Sequence, residues 1–184
     1  QMGFYAMGSH DIVQGTNCPI QDDGNNRIAQ ICYDIAKELD VEPYDEHTGK
    51  GVLRHVIGRI GQSGWMVILV TATEHLPHQE EWVERITNRI PQVETIVHNM
   101  NSKRTNVILG PTNYVLYGDG TITDHIKDLQ FTLSPHSFFQ VNPEQTTVLY
   151  DQALAYADLK GNETVIDAYC GTGTISLFLA HKAK

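Results

Sequence analysis

The sequence predicts an α+β domain followed by the opening of an α/β domain, and three observations carry that expectation. Amphipathic helical stretches alternate with short β-rich runs up to Ser134-Pro135; a glycine-punctuated hairpin pattern sits among them; and the final fifty or so residues change to helix, short apolar strand, glycine turn and helix. The division expected is 1–135 for the first domain and 136–184 for the start of the second, which is incomplete.

Gly3 to Asp11 reads as strand running into a polar turn, and Ile12 and Val13 precede the turn-rich Gly15-Thr16-Asn17-Cys18-Pro19. From Asn26 to Leu39 the side chains Ile28, Ile31, Cys32, Ile35, Ala36 and Leu39 recur at three and four, one face of an amphipathic helix, and Pro43 follows. Leu53 to Ile60 and Trp65 to Thr73 are strands joined through Gly61-Gln62-Ser63-Gly64, whose glycines suit a hairpin. Glu80 to Ile90 repeats the helical pattern with Trp82, Val83, Ile86 and Ile90, closed by Pro91. Thr95 to Asn99, Asn106 to Leu109, Asn113 to Tyr117 and Phe131 to Leu133 are short β-rich runs, expected to pack as an antiparallel sheet.

Beyond Ser134-Pro135, Asn142-Pro143 sets a proline at a first helical position, and Val148, Leu149, Ala153, Leu154 and Ala157 form a stripe toward Leu159. Thr164-Val165-Ile166 is an apolar run of strand length, followed directly by Asp167-Ala168-Tyr169-Cys170-Gly171-Thr172-Gly173-Thr174 and an apolar helix, Ile175 to Ala180. Strand, Asp, two glycines one residue apart and helix make the first βα unit of a Rossmann-like cofactor domain. Side chains do not block a ligand at Gly171 and Gly173, and the N–H groups at the helix start favour a carboxylate or phosphate. The dinucleotide pattern calls for a third glycine where Ser176 stands, which disfavours NAD. A tight turn that binds nothing is the bland alternative.

Composition narrows the classes. A hydrophobic content of 41% with 19% charged residues describes a globular chain with a real core. The longest apolar run, Trp65 to Val70, is far below the ~20 residues that cross a bilayer, so no membrane partner is expected and the location expected is cytoplasmic. The three cysteines, Cys18, Cys32 and Cys170, are scattered and suit a reducing compartment. None of the nine histidines is spaced for zinc, so no metal ligands are assigned. A formal charge of −9 argues against a strongly basic surface, unless Arg54, Arg59, Lys103 and Arg104 gather on one face.

Asp167 to Thr174 resembles the first motif of S-adenosylmethionine methyltransferases, and Ser137-Phe138-Phe139-Gln140-Val141-Asn142-Pro143 precedes it at a helix's distance. With Ser9-His10-Asp11-Ile12-Val13, Leu53-Arg54-His55 and Thr105-Asn106-Val107-Ile108-Leu109-Gly110, these resemble the RNA uracil-5-methyltransferase family, closest to the ribosomal RNA members of Gram-positive bacteria. The resemblance implies an α+β central domain followed by the truncated start of an α/β Rossmann-like S-adenosylmethionine methyltransferase domain. It implies a 23S ribosomal RNA (uracil-5-)-methyltransferase, with S-adenosylmethionine as cofactor and ribosomal RNA as partner.

Carried over residue by residue, the cofactor-binding set is Gln140, Asp167, Tyr169, Gly171, Gly173 and Thr174, and Phe138 is the candidate for stacking on an RNA base, against a plain core role. The implied chemistry adds a thiolate to C6 of a flipped-out uracil, so that C5 takes the methyl group, and a carboxylate then removes the C5 proton. Both groups are expected beyond Lys184, so no catalytic residue is assigned in this chain, which alone is expected to be inactive. Cys170 is read as structural or pocket-lining. Cys18, before Pro19-Ile20, matches the fourth ligand of the iron–sulfur cluster that some members carry; such a cluster is allowed in the whole protein and is absent from this chain. His10 and His136 are read as packing residues before substrate-facing ones. Self-association through the unfinished sheet is expected. Two alternatives stay open: a non-catalytic RNA-docking module, and a small-molecule methyltransferase.

Overall fold

The computed structural model describes residues 2–15 and 17–184, so Thr16 of the turn-rich segment lies outside the described residues. The chain forms two compact units, residues 1–122 and 123–184. The sequence expectation set the division at 135/136. It falls earlier because the hairpin before Pro135 packs with residues later in the chain: Phe131 meets Phe139 with ring centroids 5.5 Å apart, and Lys127 reaches Asp151 and lies 5.1 Å from the Phe178 ring.

In the first unit a short antiparallel hairpin, β1 (Gly3–Tyr5) and β2 (Ile12–Gln14), precedes helix α1 (Asp23–Glu38). Asp22 starts α1 by accepting a hydrogen bond from the Gly24 amide at 2.7 Å, satisfying one of the free N–H groups of the first turn. Its buried face is Ile28, Cys32, Ile35 and Ala36, the stripe the periodicity predicts. The main sheet follows with strand order β3 (Leu53–Ile60), β4 (Trp65–Thr71), β5 (Val93–Met100) and β6 (Thr112–Tyr117). Helix α2 (Gln79–Arg89) links β4 to β5.

The sheet is mixed, which corrects the expected antiparallel one: β3–β4 and β5–β6 are antiparallel, but β4–β5 are parallel. Helix α2 is the reason, since it carries the chain back along the sheet before β5 begins, and parallel neighbours need such a crossover. Trp82 and Ile86 of α2 join Ile28, Cys32 and Ile35 of α1 over Val67, Leu69 and Ile96 of the sheet to form the core.

Asn106 to Leu109, expected as a strand, is a loop. Side-chain amides take the backbone groups a ladder would use: Asn101 Nδ2 donates to the carbonyls of Val107 (2.7 Å) and Ile108 (2.9 Å). Asn99 does the same for Gly110, accepting from its N–H at 2.7 Å and donating to its carbonyl at 2.9 Å.

The second unit opens with a hairpin the sequence did not announce, β7 (Ile122–Ile126) and β8 (Leu129–Leu133), because its two-residue turn, Lys127-Asp128, has no glycine and Lys127 takes φ 54° itself. Helix α3 (Pro143–Ala157) is capped by Asn142, whose Oδ1 accepts from the Gln145 N–H at 3.0 Å, with Pro143 in the first turn as expected. Helix α4 (Thr174–Ala180) ends the unit. Thr164-Val165-Ile166, expected as a strand, is not one: no described strand pairs with it and Ile166 is 86% exposed. A parallel strand is held only by ladder partners on its flanks, and those are not present beside it.

Candidate cofactor loop

The loop between Asp167 and Thr174 is shaped by its own polar side chains. Asp167 Oδ1 accepts from the Tyr169 N–H at 3.1 Å and Oδ2 accepts from the Ser176 hydroxyl at 2.6 Å, so one carboxylate ties the start of the loop to the first turn of α4. Sequence reasoning treated Ser176 only as a missing glycine; its hydroxyl three residues into the helix pattern was the signal for this tie. The Gly173 N–H donates to the Cys170 carbonyl at 2.7 Å, closing a tight turn.

Gly171 (φ 55°) and Gly173 (φ 78°) both take the left-handed conformation that glycine adopts freely, and a Cβ at either position would meet no atom within 4 Å. The glycines therefore serve the turn, and the space above them stays open to a ligand. Gly173 is also the N-cap of α4 and supplies no side chain to the helix's first N–H groups.

A second segment is held beside this loop. The Thr172 hydroxyl donates to the Phe138 carbonyl at 3.0 Å, joining the Ser137-to-Pro143 segment to the glycine loop across more than thirty residues of chain. The Thr174 hydroxyl lies 2.8 Å from the Tyr150 hydroxyl of α3, which fixes the helix start from the other side. The Ser137-to-Pro143 segment and the glycine loop are thus neighbours in one unit. Gln140 is half-buried in that segment, whereas Tyr169 (97%) and Phe138 (71%) are exposed. Phe139, not Phe138, is the core phenylalanine, packed on Phe131.

The cysteines are placed apart. Cys170 is exposed in the loop, its Sγ 3.8 Å from the Gly171 carbonyl; Cys18 is half-buried; and Cys32 is fully buried in α1, where loss of solvation pushes its thiol up to about 12. Among the described residues no group of three His, Cys, Asp or Glu side chains is positioned to hold a metal ion, and no helix is long and apolar enough to cross a membrane.

The basic residues considered as one face are differently employed. Arg54 is buried, pairing with Glu46 at 2.6 Å and donating to the carbonyls of Asn101 and Lys103, each at 2.8 Å. Arg104 donates to the carbonyls of Glu46 and His47. Both guanidinium groups fasten the 101–110 loop to the 45–49 turn, so Arg54 adds nothing to an exposed basic surface.

No family model matches the chain. Curated relatives do. It is 52% identical over 184 residues to an uncharacterized RNA methyltransferase of Halalkalibacterium halodurans, covering 99% of this chain and 40% of that protein. It is 49% identical over 185 residues to an uncharacterized RNA methyltransferase of Clostridium tetani, covering 100% of this chain and 40% of that protein. Among solved structures it resembles the Pyrococcus abyssi tRNA (uracil-54, C5)-methyltransferase in complex with S-adenosyl-L-homocysteine, with a TM-score of 0.76, 23% identity, and coverage of 96% of this chain and 43% of that one. That likeness supports a fold of mixed α/β content with a mixed sheet. Over nearly all of its own length the chain is similar to one part of these RNA methyltransferases, and it spans about 40% of theirs.

Proposed function

We propose that this chain is the α+β central domain and the opening of the Rossmann-like domain of an enzyme that transfers a methyl group from S-adenosylmethionine to C5 of a uridine in 23S ribosomal RNA. The observation that carries the proposal is the 3.0 Å hydrogen bond from Thr172 to the Phe138 carbonyl, which sets the glutamine segment against the open glycine loop. The loop fits the cofactor: its two left-handed glycines leave the backbone accessible, and the exposed Tyr169 ring stands beside them. S-adenosylmethionine, when bound, supplies an electrophilic methyl group. We assign Gly171, Gly173 and the Thr174 N–H to its carboxylate, and Gln140 and Tyr169 to its flanks.

Asp167 has both oxygens engaged inside the loop, so we assign it the task of holding the loop in shape. Phe138 offers an exposed ring for a base. Cys170 touches its own loop, and the thiolate and base that uracil chemistry requires are assigned to the part of the relatives' length that this chain does not span. By itself the 184-residue chain is then inactive. The ground given by the sequence for self-association, an open strand at 164–166, is not present; the exposed side chains of Val141 and Ile166 support it instead.

Methyl transfer from labelled S-adenosylmethionine to undermethylated ribosomal RNA tests the proposal, comparing this chain with a protein of the relatives' full length. Transfer by the long protein alone is the expected result. Transfer only to tRNA overturns the ribosomal assignment, and no transfer by either turns the reading to a docking module.

A further inference from the structure

The first unit carries a cleft of 310 Å³, lined by Glu74, His75, Gln79, His98, Tyr114, Val115 and Leu116, that the methyl-transfer reading does not use. It lies at the edge strand β6, where Tyr114 pairs with His98 of β5 in register and the two rings stack at 5.4 Å with an interplanar angle of 26°. Tyr114 remains 38% exposed, so the stack has an open member. The volume is at the lower end of the roughly 300–1,000 Å³ of small-ligand sites.

The polar groups of the cleft have a definite sense. The Thr71 hydroxyl has one proton and gives it to the Thr73 carbonyl at 2.6 Å, so its oxygen, 2.6 Å from His98 Nε2, accepts the histidine's N–H. His98 is therefore held as the tautomer protonated at Nε2, with Nδ1 left as an acceptor. Burial, with His75 nearby, keeps the ring below its usual protonation range, so it is neutral at pH 7. The remaining polar groups are the Glu74 carboxylate, an acceptor, and the Gln79 amide and His75 imidazole, each of which can donate and accept. No lysine or arginine lines the cleft, and a carboxylate does. That combination rejects a phosphate and suits a flat, uncharged ring bearing N–H donors.

We propose that this cleft takes an unpaired adenine or cytosine of single-stranded RNA, stacked with the Tyr114–His98 pair and donating its exocyclic amino group to Glu74. The inference rests on the RNA-methyltransferase reading for its choice of an RNA base. A carboxylate accepting from an exocyclic amino group separates adenine and cytosine from uracil, which has no such group and offers one ring N–H between two carbonyls. Stacking supplies affinity without sequence preference, and the edge contacts supply the preference.

The test uses the purified 184-residue chain and fluorescent oligouridines carrying a single adenosine, a single cytidine or neither, read by anisotropy. The amino-bearing oligomers are expected to bind on the order of tenfold more tightly than plain oligouridine. Tyr114→Ala and Glu74→Ala each erase that margin, while Tyr114→Phe keeps it. Should Tyr114→Ala fail to fold, the exposed Glu74 variant decides alone. Equal binding of all three oligomers, unchanged by the variants, overturns the cleft while leaving methyl transfer, which is scored separately, untouched. Absence of RNA binding by the unmodified chain overturns it as well.

Discussion

At the scale of single residues, Arg54 and His98 show how much depends on buried polar groups and the partners they hold. The Arg54 side chain is 1% exposed and that of its partner Glu46 14%, and the guanidinium also holds two loop carbonyls. Arg54→Ala leaves a largely buried carboxylate and two acceptors without their donor, and we expect a loss of about 3–5 kcal/mol by urea denaturation. Arg54→Lys recovers only part of this, because an ammonium cannot reproduce the planar fork.

His98 sets a pH dependence. Burial, then the nearby His75 charge, lowers its protonation in the fold from the ordinary 6.5, against a smaller opposing pull from the Thr73 carbonyl. The unfolded chain therefore takes up a proton before the folded one does, and stability is full above about pH 6.5 and falls as pH drops toward the folded value. His55 is lowered in the same direction, first by burial and then by the Arg54 charge, and adds to the fall. We expect the urea midpoint to decrease between about pH 7.5 and about pH 5.5, with a shallower decrease in His98→Phe. An identical decrease in that variant rules His98 out as a contributor.

At the scale of elements, what was legible in the sequence was whatever side-chain periodicity or a local stop signal controls. The α1 stripe, the β3–β4 hairpin and the Asn142-Pro143 start of α3 stand where the pattern places them. The tight turn at Gly171 and Gly173 was legible for the same reason, since two glycines in close succession before a helix leave few backbone options. The elements misread are those whose backbone partners are set by residues far along the chain. Asn106 to Leu109 has strand composition, but Asn101 occupies the Val107 and Ile108 carbonyls; β7 has an ordinary lysine at the turn; and Thr164 to Ile166 pairs with no strand among the described residues.

Gly110 belongs to the same lesson. A Cβ there would fall 1.8 Å from the Met100 carbonyl oxygen, a clash with backbone that no rotamer relieves. Gly110→Ala is expected to cost about 3 kcal/mol, the upper end of ordinary overpacking, and to release the bracket made by Asn99. Loss of amide-exchange protection at Gly110 together with the drop in stability is the signature to measure.

At the scale of the whole molecule, the two units differ in how completely they bury their apolar side chains. In the first, β4 from Met66 to Val70 is fully buried, while in the second α3 buries only Thr146 and Tyr150 and α4 only Phe178, and Val141, Tyr156, Ile166 and Tyr169 are largely exposed. Opening should therefore be least costly in residues 123–184. We expect amides of α3 and α4 to exchange ahead of those in β4 and β5, and denaturation followed at Trp82 to lag behind loss of α3 helicity. Coincident transitions in both units mean that they unfold together.

The parallel pairing of β4 with β5 also has a history along the ribosome. As the chain emerges, β3 and β4 zip locally, but the far side of β4 stays an open row of amides and carbonyls until α2 has passed and β5 arrives to close it. During that interval Trp65 to Thr71, a nearly unbroken apolar strand, is the stretch a chaperone or another nascent chain would grasp. Slowing synthesis between Thr71 and Val93 lengthens that exposure, so codon choice across α2 becomes a determinant of yield that no property of the finished fold reveals.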